Sequence, residues 1–91
     1  MISKNLVPFF SKMNREEAFT LLVQLQEARR EMCCAQVLAA VRAAVVEGRQ
    51  QPFVYDVLAT LEEAAEAEGD YDKFKALMTM AVGFVNKALK D

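Results

Sequence analysis

Ninety-one residues suffice for one domain and are too few for two, since single cores are usually built from about 50–200 residues. A net charge of −2 with no basic cluster argues against nucleic acid, whose phosphates require a cationic field. No run of the sequence reaches the roughly 18 apolar residues that span a bilayer.

Hydrophobic residues make up 54% of the chain, which is high for a small domain with proportionally much surface. The 14 alanines explain part of the excess, because alanine sits harmlessly on helix exteriors. The remainder suggests an apolar face covered by a partner.

The segment from Met1 to Phe10 lacks both the apolar stretch and the small-residue cleavage site of a secretory signal. The protein is therefore expected to be soluble and cytoplasmic. Pro8 keeps Phe9 and Phe10 out of a regular helix interior. Residues 1–13 read as an N-terminal arm or short helix whose two phenylalanines either cover the core or dock on a neighbour.

Asn14-Arg15-Glu16-Glu17 carries the pattern of a helix start, with Asn14 as cap and Glu17 reaching back to it. Ala18, Leu21, Leu22, Leu25 and Ala28 follow at helical spacing. No glycine or proline intervenes until Gly48. The stretch from Arg15 to Glu47 is thus one helix of about 33 residues or two with a break near Met32–Cys34, and ordinary helix lengths favour the break. Gly48, Gln51 and Pro52 mark a stop and a turn. A further helix is predicted over Phe53–Ala67, a turn at Glu68-Gly69-Asp70, and a last helix ending with Lys87 and Lys90, where cations are favoured.

Displacing the chain against itself by about 36 residues superposes Phe19, Leu22, Leu25 and Ala28 on Tyr55, Leu58, Leu61 and Ala64. It also sets Leu38, Val41 and Val45 on Phe74, Leu77 and Ala81. Met32–Cys34 then falls on Glu68–Asp70. This is the pattern of two helical hairpins, and the expected fold is all-α: about four helices in two antiparallel hairpins, residues 1–91 forming one domain.

Glu68-Gly69-Asp70-Tyr71-Asp72-Lys73-Phe74, with Ala81 beyond it, resembles the inter-helix turn and second helix of a tetratricopeptide repeat. Gly69, Tyr71 and Ala81 match that family's pattern, whereas Glu62 and Phe74 stand where it has small residues. The resemblance implies a groove or face that holds a peptide or helix of a partner, as small chaperones and adaptors of that type do.

Histidine is absent from the chain, which removes the commonest acid–base group and the commonest metal ligand. Gly48, Gly69 and Gly83 are too scattered for a phosphate loop. Cys33 and Cys34 are adjacent, which suits neither a disulfide nor a zinc site, and read as small apolar residues. Glu62, Glu63, Glu66, Glu68, Asp70 and Asp72 lack the ligand order of a calcium loop and form a solvated face, or a patch that steers a basic partner. No enzyme activity, cofactor, metal or small-molecule substrate is expected.

Met32–Val46 holds only two polar residues, Gln36 and Arg42. A helix so apolar is buried on several sides or shares a face with another chain. Met78, Met80, Val82, Phe84 and Val85 give the last helix adaptable side chains suited to binding. The expected function is a non-enzymatic protein-interaction module that buries a partner helix or peptide through Phe9, Phe10, Val41, Val45, Met78, Val82, Phe84 and Val85. The alternative is a structural homodimer joined through Met32–Val46, with a regulator that contacts nucleic acid or its polymerase third.

Overall fold

The computed structural model describes residues 13–49 and 51–90. They form four helices, α1 Arg15–Glu31, α2 Ala35–Val46, α3 Pro52–Glu66 and α4 Tyr71–Lys90, with no strand among the described residues. The protein is all-α. Phe9 and Phe10, with the rest of the expected arm up to residue 12, lie outside the described residues.

Each helix boundary has a local cause. At the start of α1 the Asn14 side chain accepts from the Glu17 amide at 2.7 Å, and the Glu17 carboxylate accepts from the Asn14 amide at 2.9 Å. This reciprocal pair satisfies two of the amides that every helix start leaves free. Helix α1 ends where Met32 turns left-handed, at φ 58°, and the Cys33 amide bonds back to Ala28 O at 3.2 Å. Helix α2 ends alike: Gly48 has φ 101° and the Arg49 amide reaches Ala44 O at 2.9 Å. Both are the left-handed termini that close a helix on its own carbonyls. Pro52 opens α3 at a position where a missing amide costs nothing, and the Asp70 carboxylate accepts from the Lys73 amide at 3.2 Å at the start of α4.

The helices are arranged as a ring. Helix α4 packs most extensively on α3 and then on α1, α2 packs on α3, and the α1/α2 seam is the sparsest of the four. The diagonal pairs α1/α3 and α2/α4 do not approach. Neighbours run antiparallel: the Arg15 guanidinium, at the start of α1, donates to Leu89 O at the end of α4. Glu68, after α3, meets Cys34, before α2.

Helix α4 contributes most to the core, where Phe74, Leu77, Met78, Ala81, Val82 and Val85 share one buried cluster with Leu25, Val57 and Leu61. The most apolar helix contributes less. Helix α2 buries only Val37, Leu38 and Val41, and it leaves Ala35, Ala39, Ala40, Ala43 and Val46 exposed, so it lies at the rim of the bundle.

The 36-residue correspondence is visible in burial. Leu25 and Leu61, Ala28 and Ala64, Leu38 and Phe74, and Val41 and Leu77 are buried in matched pairs, and Phe19 and Tyr55 are both exposed. Two hairpins of similar pattern thus share one core.

Candidate functional site

The sparse α1/α2 seam is a groove. Two hollows of about 230 and 200 Å³ lie along it and share Gln24. The floor is apolar: Leu21 and Ala28 come from α1, Val37 and Val41 from α2. One wall is the polar edge of α1, where Glu17, Thr20, Gln24, Glu27 and Glu31 recur at spacings of three and four and so share a helix face. The other wall is the low edge of α2, formed by Gln36, Ala40 and Ala44. Met13 stands at one end and Cys33 at the other.

The corresponding seam of the second hairpin is closed, and the residues 36 positions on explain the difference. Gln24 corresponds to Thr60 and Glu31 to Ala67, both buried, while Glu17 corresponds to the half-buried Phe53. A long polar side chain turned into a helix–helix seam would lose its water without a partner, which is costly, so α1 stands off from α2. A small or apolar side chain in that place lets α3 and α4 meet.

The groove is pinned at its open end. Arg49, following α2, pairs with Glu17 at 2.9 Å. The Asn14 backbone amide, first, and the Arg49 guanidinium, second, hold the Glu17 carboxyl below its usual range. The Gln51 side chain accepts from the Met13 amide, which ties the chain before α1 to the start of α3.

The residues expected to form a partner surface are not brought together. Val41, Met78, Val82 and Val85 are buried in the monomer's own core, where three- and four-residue spacing aims them inward; Val41 alone of the four also borders the groove, as part of its buried floor. Val45 and Phe84 are half-buried against that core, and Phe84 lines a separate hollow of about 640 Å³ with Pro52, Phe53 and Lys87. Of the groove-lining residues only Val41 belonged to the expected set. The others carried one signal in the sequence, the regular spacing of polar residues from Glu17 to Glu31 beside the apolar face of the same helix.

The two cysteines stand in opposite surroundings. The Cys34 sulfur is buried, 3.8 Å from Leu61 O and 3.6 Å from a Glu68 carboxylate oxygen. Burial chiefly, and then Glu68, pushes its thiol up from 9.0 to about 11, so it stays protonated at neutral pH and is a poor nucleophile. Cys33 is exposed beside Glu27 and Glu31.

Among the residues on which the repeat resemblance rests, Ala81 is buried while Gly69 and Tyr71 are exposed. The Tyr71 ring lies under the Lys75 ammonium at 5.3 Å. No helix among the described residues is long and apolar enough to cross a membrane. No family model, curated protein or solved structure matches the chain.

Proposed function

We propose that the protein is a non-enzymatic protein-interaction module, of the chaperone, adaptor or inhibitor kind, that takes a helical segment of a partner into the groove between α1 and α2. One observation carries this reading: the helix richest in apolar residues is the least packed, and the seam beside it is open where its counterpart is closed. Two antiparallel helices with an apolar floor between them leave a site of the shape that a third helix fills. Ala40 and Ala44 on one wall let its backbone come close. The competing occupant is a second copy of the chain, favoured by the exposed outer face of α2.

The test is a paired capture from the native host with the unaltered chain and with Ala40→Trp, which fills the groove from an exposed position. A partner that is lost with Ala40→Trp, at unchanged helicity and Tm, supports the reading. Equal capture by both proteins refutes it. Sedimentation over a range of concentrations identifies the homodimer, as a concentration-dependent increase in mass that Ala40→Trp abolishes.

A further inference from the structure

The groove carries charge of one sign. Glu17, Glu27 and Glu31 line it, and among the described residues no lysine or arginine does. Glu17 is engaged by Arg49 at the open end. Among the described residues, neither Glu27 nor Glu31 has an ion-pair partner, for the two salt bridges are Arg42–Glu62 and Arg49–Glu17. Glu27 and Glu31 stand one turn apart on the α1 wall, next to the apolar floor made by Ala28 and Val37.

Resting on the groove reading above, we infer that the occupant is an amphipathic helix with a basic flank: an apolar stripe over Ala40 and Ala44, above the buried floor, and lysine or arginine along the edge that faces Glu27 and Glu31. The asymmetry of the walls sets its orientation. A helix seated here meets carboxylates on the α1 side and alanine methyls on the α2 side, so its cations belong on one flank only. A neutral or acidic flank leaves Glu27 and Glu31 partly dehydrated and unpaired, and rejecting such partners is the commoner contribution of interfacial charge. In the second hairpin Glu27 has an acidic counterpart, Glu63, but Glu31 corresponds to Ala67 and Glu17 to Phe53, so the pair of carboxylates one turn apart beside the seam occurs in the first hairpin alone.

Two synthetic peptides of 18 residues test the inference, identical in a leucine–alanine stripe and differing only in lysine or glutamate along one flank. Fluorescence anisotropy with the full chain at low salt is expected to show the lysine peptide binding about tenfold more tightly, in the range that two exposed ion pairs supply. The preference should shrink in high salt and disappear or reverse in Glu27→Lys/Glu31→Lys. Equal affinities, or a preference that survives the charge reversal, would overturn the basic-flank inference while leaving the groove in place. If Ala40→Trp binds both peptides as the unaltered chain does, the groove reading itself falls. Tighter binding by a peptide of residues 1–12 than by the lysine peptide would assign the groove to the chain's own leading segment, and a dimer abolished by Ala40→Trp would assign it to a second copy. Either result overturns the inference.

Discussion

Cys33 and Cys34 are chain neighbours in opposite surroundings, one exposed and one fully buried. A thiol reagent at neutral pH should therefore titrate one sulfur in the native protein and two in denaturant; two fast thiols in the native state would contradict the burial of Cys34. The second cysteine also links stability to pH. Its thiol ionises near 9.0 when exposed and near 11 in the fold. Between those values the folded chain retains a proton that the unfolded chain has released, so stability declines as pH rises from about 9 to 11. Glu68 accepts from the Cys34 amide at 3.1 Å as well as facing its sulfur, and so serves the start of α2 from the turn between α3 and α4. Glu68→Gln removes the charge and keeps an acceptor. In a Cys33→Ser background, the pH dependence of alkylation should then give a Cys34 pKa below that of the unaltered protein but still above 9.0, because burial is the larger cause. Glu68→Ala should in addition cost about 1 kcal/mol in urea unfolding, the usual loss for a cap.

Helix α2 is an element whose composition and packing disagree. Its twelve residues include ten apolar ones, yet five of those are alanines, which add little area when buried, and only three of its residues enter the core. Amide hydrogen exchange should accordingly find α2 the least protected of the four helices, since local opening follows sparse burial; protection equal to that of α4 would refute the open seam. The end of α2 depends on Gly48, whose φ of 101° suits glycine and strains any other residue. Gly48→Ala should lower stability by about 1–2 kcal/mol, measurable as a reduced urea midpoint with an unchanged slope. The elements themselves were legible. The Asn14/Glu17 signature placed the start of α1, the length argument placed the break at Met32–Cys34, and Pro52 and Gly69 bounded α3. The neighbour of each apolar face was not legible. Met78, Val82 and Val85 have the same spacing whether they meet their own core or a partner, and periodicity reports a face without naming what covers it. The groove escaped notice for the converse reason, because polar residues at helical spacing normally mean solvent.

At the scale of the whole molecule, the question is whether an open seam leaves one cooperative unit or two hairpins. The hairpins are joined by α1/α4 and α2/α3 packing as well as within themselves, and their largest buried side chains, Phe74, Leu25, Leu61 and Met78, come from three helices into one cluster. Such a core has no plane along which to divide. Tyr55 on α3 and Tyr71 on α4 report on the second hairpin, whereas helical circular dichroism reports on both. Their urea transitions should coincide, and an early loss of part of the helical signal would instead show the first hairpin leaving on its own. The same core decides where truncation is felt. Phe74 is fully buried at the centre, so Phe74→Ala should cost about 3–5 kcal/mol, a large share of the 5–15 kcal/mol that typically holds a domain folded. Val46 is 86% exposed, and Val46→Ser should change stability by less than about 0.5 kcal/mol. If Val46→Ser proved as damaging as Phe74→Ala, the outer face of α2 would already be buried in the protein as it exists in solution, and the groove beside it would belong to an assembly rather than to a monomer awaiting a partner.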